Sequence, residues 1–118
     1  MRFVSIGTGV VAVALLLTGT ARRSGAQESP GLAVYRQECK SCHGINGTPP
    51  ARALAQYKKI KSLGDGGFVS KMSVDSIVTI LKKGIDKDMK SFTGKLSDAE
   101  MHAAAVYIKE LAEKKQKA

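Results

Sequence analysis

Cys39-Lys40-Ser41-Cys42-His43 contains both cysteines of this 118-residue chain and one of its two histidines. Two thiols three positions apart stand about one helical turn from each other on the same face of a helix. An imidazole follows at once. This is the spacing that attaches c-type haem: each thiol adds to one of the two vinyl groups on one edge of a porphyrin, and the adjacent imidazole is thereby aimed at the iron. Haem iron takes such a proximal histidine, and the other ring nitrogen should donate to a backbone carbonyl that fixes the tautomer. Pro49 or Pro50 is placed to offer that carbonyl.

Three blander uses of the same residues compete with that reading. A redox-active Cys-x-x-Cys pair belongs in a thioredoxin-like βαβ setting, and no alternating strand pattern occurs here. A tetrahedral zinc site needs four ligands; beyond Cys39, Cys42 and His43 only His102 is available, far along another helix. A plain disulfide between Cys39 and Cys42 would close so short a loop that it explains little.

Working outward, three helices are legible. Leu32, Tyr35 and Cys39 recur at helical spacing over residues 31–40, just after Pro30, a residue suited to a first turn. Ser73 begins a second helix, with Val74, Ile77, Val78 and Leu81 on one face and Gly84 where a helix stops. Ser97-Asp98-Ala99-Glu100 is a capping box; Leu96 can staple to Met101, and Met101, Ala104, Ile108 and Leu111 form one apolar stripe. Residues 44–50, 64–67 and 84–94 are punctuated by glycine and read as loops. The expected class is all-α with substantial loop.

A haem held by His43 has a second axial position, and its occupant decides the chemistry. Met89 is the best candidate. It lies between the helix that stops at Gly84 and the one that starts at Ser97, where extended backbone lets a long thioether reach inward. A soft thioether opposite histidine raises the potential of the iron. Met72, directly before the Ser73 cap, is the rival, although packing suits it better. Met101 belongs to the apolar stripe, and His102 beside it is read as facing solvent.

The ends of the chain carry a different message. Arg2 is followed by residues 3–17, an apolar stretch with the unbroken run Val10 to Leu17, and small residues then offer cleavage after Ala26 or Ala21. This reads as a signal peptide over residues 1–26, with an exported, periplasmic domain at 27–118. The uncharged stretch 3–21 is close to the ~20 residues that span a bilayer, so a retained membrane anchor is the alternative. The whole chain carries 19 basic and 10 acidic residues, for +9. Without Arg2, Arg22 and Arg23 the balance is 16 against 10, or +6. That charge suits association with acidic surfaces. A chain of this size with 5% aromatic residues and no Trp needs a staple for its core. Nucleic acid is a poor match, because no interleaved basic and aromatic pattern occurs.

With these residues in view, the mature chain resembles the small, single-haem class I cytochromes c exported by bacteria. Gly31, Tyr35, Cys39, Cys42, His43 and Gly44 look like that family's first helix and haem-attachment run. Met89-Lys90-Ser91-Phe92 resembles its Met-Pro-x-Phe segment, with Lys90 standing where proline is common. Leu96 to Leu111, with Tyr107, resembles its C-terminal helix. The resemblance implies the cytochrome c fold, three to five short helices and loops around one covalently attached haem c, with the first and last helices crossing at Gly31 and Tyr107. It implies thioether bonds from Cys39 and Cys42, with His43 proximal and Met89 distal on the haem iron.

A six-coordinate iron leaves no open site for substrate, so the resemblance implies a monomeric electron-transfer protein rather than an enzyme. It would carry one electron between acidic-faced partner proteins, a reductase and an oxidase. Lysines at 40, 58, 59, 61, 71, 82, 83, 87, 90 and 95 are available to steer such partners, Lys87 and Lys90 best placed because they flank Met89. A dedicated haem subunit docked to one larger enzyme, or an open-site ligand-binding protein should Met89 not ligate, are the other readings.

Overall fold

The computed structural model describes residues 25–116. The leader read over 1–26 lies outside these residues save for its last two, and the anchor reading at 3–21 lies wholly outside. No helix among the described residues is long and apolar enough to cross a membrane.

Among the described residues five α-helices follow one another: α1 Pro30–Glu38, α2 Lys40–His43, α3 Ala51–Gln56, α4 Val74–Lys83 and α5 Asp98–Gln116, with a 3-10 turn at Val69–Lys71 before α4. The described residues form no strand, only isolated bridges between Ile85 and Met89 and between Thr93 and Leu96. The all-α class is as expected.

Local chemistry accounts for the helix ends. The Leu32 amide donates to Ser29 Oγ at 3.3 Å, so α1 is capped one residue before Pro30. Ser73 Oγ accepts from the Ser76 amide at 3.1 Å and starts α4, which stops at Gly84 with φ +72°. Both arms of the α5 capping box are made: the Glu100 amide donates to Ser97 Oγ at 3.1 Å and the Ser97 amide to Glu100 Oε2 at 2.7 Å. Each satisfies a donor that a helix start otherwise leaves orphaned. Two details differ from expectation. The first helix does not run evenly through residue 40; it breaks at Cys39, whose φ is −113°, and resumes as α2. Helix α3 and the 3-10 turn were not expected, because neither is long enough to show a period.

Packing centres on the crossing of α1 with α5. A Cβ on Gly31 would lie 2.2 Å from the Ala103 carbonyl oxygen and 2.9 Å from Tyr107 Cβ, so only glycine lets the backbones approach this closely. The rings of Tyr35 and Tyr107 meet there at 5.2 Å, tilted by 57°, an edge-to-face contact of the favourable kind. Ala104, Ala105 and Ala112 give α5 a small-residue face, and with Met101, Ile108, Tyr35, Ile77, Leu81 and Val69 they make up the buried core. His102 is exposed, as expected. Lys109 Nζ ties α5 to the segment before α4 by donating to the carbonyls of Ser70 and Met72, both at 3.0 Å. Three sides are thus closed: α1 and α2 on one, α4 on another, α5 behind.

Candidate functional site

The attachment run owes its shape to α1. The His43 amide donates to the Cys39 carbonyl at 2.9 Å, which winds Cys39 to His43 into one turn. Tyr35, fully buried, donates its hydroxyl to the Gly44 carbonyl at 2.7 Å. That bond clamps the end of the turn to the helix that precedes it. Both thiols are free.

The chain after α4 supplies further lining residues of the site. Ile85 and Met89 exchange backbone hydrogen bonds of 2.7 and 3.1 Å around a tight turn, in which Asp86 has φ +47°. This corrects the expectation of merely extended backbone: Met89 closes a small hairpin. The Phe92 amide donates to the Leu81 carbonyl at 2.9 Å, and the hydroxyls of Ser91 and Thr93 both donate to the Lys82 carbonyl. These bonds restrain the segment in which Lys90 stands in place of proline.

Between the attachment run and this segment lies a cavity of about 430 Å³, lined by Cys39, Cys42 and His43 and by Met72, Ile77, Leu81, Met89 and Phe92. Its size falls in the ordinary range for a cofactor site, ~300–1,000 Å³. Met101 does not line it and is 2% exposed in the core. Of the residues singled out from sequence, Cys39, Cys42, His43, Met89 and Met72 share this one cavity, whereas His102 is apart from it. Sequence reasoning missed Glu38, whose side chain is nine-tenths buried at the cavity wall and pairs with Lys95 at 2.6 Å. Its signal was only its place beside Cys39.

Burial governs the ionisable groups. It pushes the Cys39 thiol up to about 11, with the charge of Glu38 and the neighbouring Cys42 adding to the effect. It lowers the His43 imidazole, against a smaller opposing effect of the Lys61 backbone. His43 Nδ1 is buried without a hydrogen-bond partner, so neither Pro49 nor Pro50 supplies the carbonyl expected for it. A buried imidazole with one unpartnered nitrogen, two thiols in the same turn to bond the ring edge, and soft thioethers lining the same cavity suit an iron porphyrin. They are poorly arranged for a bare ion: among the described residues no three His, Cys, Asp or Glu side chains converge on one point.

Comparison with known proteins leads to the same kind of cofactor. Residues 26–108 match the family model described as cytochrome c oxidase, cbb3-type, subunit III. The chain is 34% identical over 101 residues to chloroplastic cytochrome c6 of Chlamydomonas reinhardtii, covering 84% of this chain and 64% of that protein. It is also 34% identical over 86 residues to cytochrome c6 of Synechocystis, covering 71% and 65%. It therefore spans just under two thirds of the length of these relatives. Among solved structures, the KustC0563 c-type cytochrome superposes with a TM-score of 0.61 at 26% identity, covering 69% of this chain and 95% of that one.

Proposed function

From the premise that this chain belongs to the c-type cytochromes, in the family of the cbb3-type oxidase's subunit III, and carries one covalently bound haem c, we propose that it is an exported one-electron carrier with His/Met axial ligation. The group supplies reversible exchange between ferric and ferrous iron. The chain's residues do the rest. Cys39 and Cys42 would hold the porphyrin by thioether bonds, with His43 as the proximal and Met89 as the distal residue to its iron. Ile77, Leu81 and Phe92 keep water from the ring. The single observation that carries this reading is that Cys39, Cys42, His43 and Met89, from two distant stretches of chain, all line the same cavity.

Lysines near the cavity would meet an acidic partner protein. Lys59, Lys61 and Lys90 line it, and Lys87 is exposed beside Met89. Lys82 and Lys95 are already engaged, with Asp98 at 3.1 Å and Glu38 at 2.6 Å, and are less available for steering. Association through such charges is fast, weak and slowed by salt.

A second reading, a haem subunit docked permanently to a larger oxidase, is favoured by the description of the matching family. The carrier is preferred because two relatives, each 34% identical to this chain, are named as cytochrome c6. Expression with haem-maturation machinery, followed by oxidised and reduced absorption spectra, tests the proposal. Haem retained through denaturation, a sharp low-spin ferrous spectrum and a weak red-edge sulfur-to-iron band in the ferric form are expected. A high-spin spectrum with ready carbon monoxide binding would remove Met89 from the iron. Purification as part of a larger complex would move the assignment to the docked subunit.

A further inference from the structure

Glu38 is the last residue of α1 and directly precedes Cys39. Lys95 lies between Phe92, which is bonded to α4, and the Ser97 cap of α5. Their side chains meet at 2.6 Å, Glu38 only 10% exposed and Lys95 62% exposed, and both line the cavity. Among the described residues this is the one ion pair that joins α1, directly before the attachment run, to the segment that follows Met89. The remaining ion pairs lie within one wall or along the surface.

We propose that Glu38 and Lys95 form a clasp across the cavity that keeps the Met89 segment closed on the iron, and so sets how readily another ligand displaces the thioether. The inference rests on Met89 being the distal ligand. A carboxylate as enclosed as Glu38 is costly to leave without its cation, even though Lys95 itself is exposed. An open position of the 84–96 segment separates the pair, exposes the iron and returns Glu38 to water. Lys95 raises the free energy of that open position, and Lys95→Met lowers it. The clasp acts through position alone; neither residue touches the iron.

Imidazole is the probe, because it binds ferric haem only where the thioether has left. In the full holoprotein, Lys95→Met is expected to bind imidazole about tenfold more tightly than the wild type, a change equivalent to about 1.4 kcal/mol. The exchanged pair Glu38→Lys with Lys95→Glu should return affinity toward the wild-type value. Lys95→Arg, which keeps the charge and is the milder change should the methionine variant mature poorly, should leave affinity within about twofold of wild type. An affinity in Lys95→Met equal to wild type, or an exchanged pair no better than Lys95→Met, would overturn the clasp. Met89→Ala separates the two layers of the argument. If its imidazole affinity and spectrum equal those of the wild type, Met89 is not the ligand and the reading beneath the clasp has failed. If Met89→Ala differs from wild type but Lys95→Met does not, the clasp alone has failed.

Discussion

Gly84 sits so close beneath Met89 that a Cβ on it would lie 2.4 Å from the Met89 carbonyl oxygen, and its own φ is +72°. One residue therefore ends α4 and seats the segment that brings the thioether to the cavity. Gly84→Ala is expected to destabilise the holoprotein by about 2–4 kcal/mol, from left-handed backbone strain and overpacking together. The same change should weaken the ferric sulfur-to-iron band, because the hairpin must lift to make room. Denaturant unfolding and the ferric spectrum measure the two effects, and a fully stable variant with an intact band would contradict this account of the seat.

Met89 and Met72 line the same cavity, and single substitutions distinguish them. Met89→Ala should lose the sulfur-to-iron band, lower the reduction potential and let the ferrous form bind carbon monoxide. Met72→Ala should keep all three properties near the wild type and cost about 2–5 kcal/mol at most, as for a truncated packing residue. The reverse pattern would transfer the ligand role to Met72.

The attachment run and the two longer helices were legible in sequence because each carries dense local signals. Ser73, Gly84, and Ser97 with Glu100 do in the structure what their chemistry implies. The misses are physical too. Helix α3 has six residues, follows Pro50 as N-cap and has no side-chain cap, although Ala51-Arg52-Ala53-Leu54-Ala55-Gln56 consists wholly of good helix formers. The hairpin at 85–89 has no hairpin turn sequence and places Asp86 in the left-handed region, so it is imposed by the bonds around α4 rather than by local preference. The Glu38 and Lys95 pair spans a long sequence separation and leaves no pattern that periodicity can detect.

At the helix crossing, the space beside Gly31 is closed by backbone. Its added Cβ would meet the Ala103 carbonyl oxygen at 2.2 Å, and a carbonyl inside α5 cannot swing aside as a side chain can. Gly31→Ala should therefore push α1 away from α5 and cost about 1–3 kcal/mol or more, with the Tyr35 and Tyr107 rings losing contact. A thermal melt with the spectrum of the folded protein recorded alongside checks this. The band should be unchanged below the transition, because Met89 is on a different wall.

Tyr35 joins the core to the attachment run, and its hydroxyl gives a pH-dependent test of that role. Tyr35→Phe removes the 2.7 Å bond to the Gly44 carbonyl and should cost about 1 kcal/mol at neutral pH. Burial holds the Tyr35 phenol far above its ordinary value in the folded protein. The unfolded chain ionises the same group near pH ~10. A group raised on folding contributes stability that is fully present below its unfolded pKa and declines as pH rises above it. The phenylalanine variant lacks that decline. The stability gap between wild type and Tyr35→Phe should therefore narrow as pH is raised from about 9 to about 11, measured by denaturant unfolding at each pH. A gap that stays constant across that range would mean that the folded protein does not hold this phenol neutral.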